Sequence, residues 1–205
     1  MKKVYKYGIW VVIIAFTLYN SVYFRKLSEM KAPAKTFNAA SYAQDMLNNK
    51  LPAVTEKAIT IDELFTQIKS QPNEAFSAYG HALTIGSIRF FMVKGAGEVD
   101  AIDESDVKLV TTGHNNVYIA TEFVFGNAIR DASGLINLND FSNTVDLSNI
   151  SSEVNKIIRA KVIPPFKAVV KKGSKVEFTG AIELNQARLN VEDPEVIPVT
   201  LKVLP

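Results

Sequence analysis

The sequence predicts a mainly β protein with helices, an α+β fold, and three observations carry that prediction. From about Ile85 onward, runs rich in Val, Ile, Phe and Thr alternate with turn residues, which is the texture of strands. Ahead of them, two stretches carry helical start and stop signals. A single amphipathic helix, from about Leu147, separates three strands from two more.

Taken in order, residues 7–24, "YGIWVVIIAFTLYNSVYF", hold no charge in 18 positions. As a helix they would be roughly 27 Å long, close to a bilayer hydrocarbon core. Lys2, Lys3 and Lys6 precede them, which favours a cytoplasmic N-terminus, and Trp10, Tyr19 and Tyr23 suit the membrane interfaces. Arg25 and Lys26 on the other flank weaken the charge bias. The expectation is an uncleaved transmembrane signal anchor, with the lipid bilayer as partner through residues 7–24. A cleaved signal peptide is the rival; it needs small residues before the cut, and Leu18-Tyr19-Asn20-Ser21 fits that poorly.

A polar tether over residues 25–35 leads to a helix with Asn38 as N-cap and Pro52 beyond its end. Thr60 and Glu63 have capping-box spacing ahead of a second helix, whose stripe is Ile61, Leu64, Phe65 and Ile68. Pro72 stops it, and "NEAFSAYG" adds a turn before Gly80.

Then come the strands. "SIRFFMVKGAGEVDAID" is long, and Gly95 and Gly97 mark a bulge or sharp coil in it. "DVKLVTT" and "VYIATEFVF" follow, separated by the turn "GHNN". The helix after them spaces Leu147, Ile150, Val154, Ile157, Ile158 and Val162 on one face, with Asp146 as N-cap and Pro164-Pro165 as interruption. "KVEFTGAIEL" and "VIPVTLKVL" close the chain. Three strands, a helical connection and two strands, with a long bent first strand, is the order of a five-stranded OB-like barrel. An open β-sandwich is the alternative. The expected organisation is a cytoplasmic tip and anchor (1–26), a tether and N-terminal helical extension (27–80), and the barrel domain (81–205).

Composition narrows the function. No cysteine occurs, which excludes a disulfide framework, thiolate metal sites and a cysteine nucleophile. The chain carries +2, but five of its 23 basic residues lie in the first 26 positions. The remainder holds 18 basic against 21 acidic residues, a net of −3, so nucleic acid is not an expected partner. His81 and His114 are too few for zinc and have no serine or acid paired with them in the local sequence.

The densest polar stretch is "AIRDASGLINLNDFSNTVD", residues 128–146, which gathers Arg130, Asp131, Asn137, Asn139, Asp140 and Asn143. Its oxygen donors lack the alternation of a calcium loop and no glutamate closes it. One reading makes Arg130 an ion-pair lock to Asp131 or Asp140, with the asparagines bonding turn backbone. The other makes these six residues a small polar-ligand site, Arg130 offering a fork to a carboxylate or phosphate.

"FMVKGAGEVDAIDESDVKL", "FGNAIRDASGLINLNDFSNTVDLSNISSEVN" and "KGSKVEFTGAIEL", with "YAQDMLNNKLPAV" ahead of them, resemble the predicted periplasmic lipoprotein family, domain-of-unknown-function family 2291. The most specific part is Arg130-Asp131-Ala132 with Asn139-Asp140-Phe141-Ser142-Asn143. The resemblance implies an OB-like fold and a periplasmic location. Members of the family it resembles often lie beside genes for sugar-type ABC importers, so the resemblance implies an accessory role in solute uptake with importer components as partners. This sequence departs from the family in lacking a lipobox cysteine, so the transmembrane helix is expected to replace the lipid.

The resulting expectation is a non-enzymatic accessory or binding protein in the bacterial inner membrane. It would be single-pass with a periplasmic C-terminal domain, and would have no cofactor and no metal. The alternative is a small-ligand or oligosaccharide-binding module centred on residues 130–143.

Overall fold

The computed structural model describes residues 2–21, 37–141 and 143–205. The chain divides into two compact units, Met1–Phe37 and Asn38–Pro205. In the first, α1 (Lys2–Ser21) is one continuous helix. It begins among Lys2, Lys3 and Lys6, so its uncharged part runs only from Tyr7 to Ser21, roughly 22 Å. That is short of the ~30 Å hydrocarbon core of a bilayer. No helix among the described residues is long and apolar enough to cross a membrane. This corrects the expected transmembrane signal anchor; residues 22–24 of the expected span lie outside the described residues.

The second unit opens with α2 (Ala39–Asp45), which passes through one π turn (Met46–Lys50) into α3 (Leu51–Glu56). Asn38 caps it as expected, its Oδ1 accepting from the Ser41 N–H at 2.9 Å. Pro52 does not end the helix. It sits in the first turn of α3, where its missing N–H leaves no bond unmade. β1 (Ile59–Thr60) leads into α4 (Ile61–Ser70), capped by Thr60 Oγ1, which accepts from the Glu63 N–H at 3.2 Å. α5 (Pro72–Tyr79) and β2 (Gly80–His81) follow.

The long strand is β3 (Ile88–Ile102), followed by β4 (Asp106–Thr111) and β5 (Asn116–Ala120). A short helix, α6 (Ala128–Ala132), and a 3-10 turn (Leu138–Asp140) connect to α7 (Thr144–Lys161) and α8 (Ile163–Lys167). β6 (Lys175–Asn185) and β7 (Glu195–Val203) complete the chain.

All seven strands belong to one sheet, in the order β1-β3-β4-β5-β7-β6, with β2 on β3 and a further pairing of β3 with β6. β6 runs antiparallel along β3 from Ile88↔Asn185 to Glu98↔Lys175. A strand has two edges, so the other edge of β3 is shared in turn by β2, β1 and β4. The expected five-stranded OB-like barrel is therefore corrected to a mixed α/β fold built on a seven-stranded sheet, to which the helical region contributes β1 and β2. The missed strands, β1 and β2, have two residues each and lie at helix ends. Nothing so short can show a period of two.

The glycines of β3 differ from expectation too. The register shift lies between Val99 and Ala101, not at Gly95 or Gly97. Both glycines serve close packing: a Cβ at Gly95 would stand 2.7 Å from the Phe178 ring, and one at Gly97 2.5 Å from the Val110 carbonyl oxygen.

Alternation along β3 explains the rest of the architecture. Phe91 and Val93 join one core cluster, with Ile61, Leu64, Phe65 and Ile68 of α4 and Val107, Leu109, Phe178 and Ile182 of the sheet. Phe90 and Met92 point the other way, into a second cluster. There they meet Ala43 and Met46 near α2, Ile129 and Ala132 of α6, and Leu147, Ile150, Val154 and Ile158 of α7. Residues Phe90 to Val93 of β3 are thus buried on both faces, which is why they read as an unbroken apolar run. Each large side chain so buried is worth roughly 1.5–3 kcal/mol. Residues 38–80 supply helices to both clusters, because neither face of the strand can be left to water.

Candidate functional site

β5 ends at Ala120, five residues before the expected end of the third strand, and the chain leaves the sheet. The N–H groups of Thr121 and Glu122 both turn to the Ser105 carbonyl, at 2.9 and 3.1 Å. Val124 is fully buried, which leaves Phe123 and Phe125 on either side exposed. Gly126 then takes a left-handed φ of 77° and α6 begins two residues later.

Within α6, Arg130 and Asp131 pair directly, Nε to Oδ1 at 2.6 Å, with side chains 11% and 4% exposed. Asn127 Nδ2 donates to the other carboxylate oxygen. Arg130 also donates from Nη1 to the Leu147 carbonyl at 3.1 Å, which ties α6 to the first turns of α7. Ser133 Oγ donates to the Arg130 carbonyl and accepts from the Leu135 N–H. Gly134, at φ 63°, lets the chain turn where a Cβ would meet the His81 ring at 2.9 Å.

The asparagines serve the backbone. Asn137 Oδ1 accepts from the Asn139 N–H at 3.0 Å and caps the 3-10 turn. Asn143 Oδ1 accepts from the Asp146 N–H at 2.9 Å, so Asn143 rather than Asp146 is the N-cap of α7. Asp146 lies in the first turn, where its charge complements the helix dipole. Asn137, Asn139, Asp140 and Asn143 are all exposed. Of the six residues singled out in the sequence, the structure brings Arg130 and Asp131 together and leaves the other four on local turns.

What Arg130 does join is a groove of about 450 Å³ between α7 and the loop after β5. Phe125, Gly126, Asn127 and Arg130 form one wall, and Ser148, Ser151, Ser152, Asn155 and Arg159 of α7 the other. The α7 residues recur at i, i+3, i+4, i+7 and i+11, a polar stripe along one face of the helix beside its apolar one. That stripe is the signal the sequence offered and apolar periodicity alone passed over.

The groove is held by two cross-links. Asn155 Nδ2 donates to the Gly126 carbonyl at 2.8 Å, and Arg159 Nη1 donates to the Val124 carbonyl. The Arg159 guanidinium also lies 4.8 Å from the centroid of the Phe125 ring, a cation–π contact. One turn before Asn155, Ser151 is only 7% exposed, and its Oγ has no hydrogen-bond partner. A buried hydroxyl left unpaired costs about 1–3 kcal/mol. Among the described residues, no carboxylate, histidine or lysine lines the groove. The arrangement can therefore bind hydroxyls and negative charge, and it offers no group to take a proton.

Two other cavities differ in this respect. One, of about 630 Å³, adjoins Asp62 at the start of α4. The Asp62 carboxylate there accepts from Thr111 Oγ1, from Asn115 Nδ2 at 2.7 Å, from the Gly113 N–H at 3.0 Å and from Thr112 Oγ1 at 3.3 Å. Burial pushes its pKa up, but these four hydrogen bonds outweigh burial and hold it below the usual carboxylate range. The other cavity, about 720 Å³, lies among β3, β4 and the start of β6, and His114 lines it. Among the described residues, Ser151 Oγ and Thr121 Oγ1 are the buried side-chain polar atoms without a partner, and neither residue lines these two cavities. No group of three or more His, Cys, Asp or Glu that could hold a metal ion occurs among the described residues.

Among solved structures, the chain is similar to an OB-fold protein from Thermotoga maritima, with a TM-score of 0.71 and 22% identity. The alignment covers 82% of this chain and 99% of that one, and at this identity it shows the fold alone. None of the curated proteins matches. The predicted periplasmic lipoprotein family DUF2291 matches residues 12–202, nearly the whole length, and the chain belongs to that family.

Proposed function

We propose that the protein is a non-enzymatic binding protein of the periplasm, and that the groove between α7 and the loop after β5 takes a small polar ligand. The observation that carries this is the Ser151 hydroxyl, buried without a partner in a groove otherwise lined by Arg130, Asn127, Asn155 and Arg159. Its volume, about 450 Å³, is within the range of small-molecule sites. The membership in a periplasmic family supports the location.

The test is Ser151→Ala in the full chain. Because the hydroxyl has no partner in the fold, the variant should unfold at the same temperature as the parent or slightly above it. A thermal-shift panel of glucose, glucuronate, glycerol and inorganic phosphate should then stabilise the parent and not the variant. Equal stabilisation of both proteins by each active compound would remove the groove as the site. The finer partner reading, an importer subunit receiving the ligand, rests on the family resemblance; cross-linking in membranes that captures no importer subunit would remove it.

A further inference from the structure

We propose that the ligand of the α7 groove is a hydroxylated monocarboxylate, with Arg159 reading the carboxylate and Ser151 an oxygen away from it. This rests on the groove being a binding site and goes on to name what it binds.

The reasoning is one of charge. Two guanidinium groups line the groove and no carboxylate does. They are not equivalent. Arg130 is neutralised by Asp131 at 2.6 Å, inside a pair almost closed to solvent. Arg159 takes part in none of the ion pairs formed among the described residues. Its Nη1 is bound to a carbonyl and its face to the Phe125 ring, neither of which cancels a positive charge. Both contacts instead hold the group still, at one end of the polar stripe. The groove therefore carries one uncompensated positive charge, half-buried, where charge pairing is stronger than in water. A ligand with one negative charge balances it.

The remaining chemistry sets the rest of the class. The backbone positions of Ser151 and Arg159 lie about two turns apart on α7, roughly 12 Å along the axis. One carboxylate cannot span that distance, so the ligand needs polar groups away from its charge. Ser148, Ser152 and Asn127 line the space and suit hydroxyl groups, which both donate and accept. The exposed Phe125 ring supplies an apolar wall beside the charged end.

Glucuronate and glucose form a suitable probe pair, since they share a ring and its hydroxyls and differ by the carboxylate. Titration of the full chain by calorimetry at low salt should show glucuronate binding at least roughly tenfold tighter than glucose, a preference that added salt reduces. Arg159→Gln should remove the preference by weakening glucuronate alone. Should that variant fold poorly for want of its bond to Val124, Arg159→Lys keeps the charge but loses the planar fork, and an intermediate preference is expected. Equal binding of the two sugars would overturn the carboxylate assignment and leave the groove standing, as would binding of inorganic phosphate alone. If no probe binds the parent protein, both the ligand class and the groove reading fail together.

Discussion

The Asp62 cluster and the α7 groove are both polar assemblies that join a helix to a loop, yet they are built on opposite terms. At Asp62, two carboxylate oxygens face four donors from residues 111–115, and every strong acceptor is used. A Cβ at Gly113 would lie 2.6 Å from the Asp62 Cγ, so even the shape is filled. In the groove, among the described residues, the buried Ser151 hydroxyl has no partner and the Arg159 guanidinium no counter-ion. Satisfied polar groups specify one arrangement and add rigidity; unsatisfied ones cost stability until something supplies the missing half. Of the two, the Asp62 cluster is a lock and the groove is the site proposed above. Arg130 belongs to both kinds, since it is locked to Asp131 while lining the groove.

The largest effect should come from Arg130→Ala. It leaves Asp131, with its side chain 4% exposed, buried beside Asn127 alone, and breaks the bond to the Leu147 carbonyl. A loss of about 3–5 kcal/mol is expected in urea unfolding. An unchanged midpoint would move Arg130 wholly to the open groove. Asp62→Ala should cost less, roughly 1–3 kcal/mol, because Thr112, Gly113 and Asn115 can reach water and only the Thr111 hydroxyl is buried. A cost below that range would make the lock ornamental.

Acid sharpens the same distinction. Asp62 is held below its unfolded pKa, so it contributes stability that is present above the unfolded value and lost as pH falls through the folded one. Unfolding of the parent between about pH 5 and pH 2 should include this loss, and the Asp62→Ala profile should lack it. Parallel profiles would show that the carboxylate is not favoured in the fold. The smallest effect belongs to Ser151→Ala, a gain of up to about 1 kcal/mol, the low end of what the unpaired hydroxyl costs. A loss above 1 kcal/mol would mean the hydroxyl has a structural partner after all.

Much of this molecule is legible in its local chemistry. Asn38 and Thr60 cap their helices because a side-chain oxygen can reach an N–H three residues on whatever the rest of the chain does. The long strand, the two closing strands and the apolar stripe of α7 follow from period alone. The polar stretch at residues 128–146 was visible too, but not its division of labour. Asn137 and Asn143 satisfy the backbone beside them, while Arg130 reaches Leu147. The groove's other wall was legible only as serines and an asparagine spaced along α7, with nothing to say what they faced.

Chain-local forces thus determine the caps, the turns, the strand and helix periods and the family to which the chain belongs. Contacts between residues distant in sequence decide the rest. Asp62 meets donors about fifty residues away, β1 and β2 exist only because β3 has an edge to pair, and Asn155 reaches Gly126 to shape the groove. The unpartnered state of Ser151 belongs with these, because whether a hydroxyl is satisfied depends on every atom that packing brings near it and not on its neighbours in the chain.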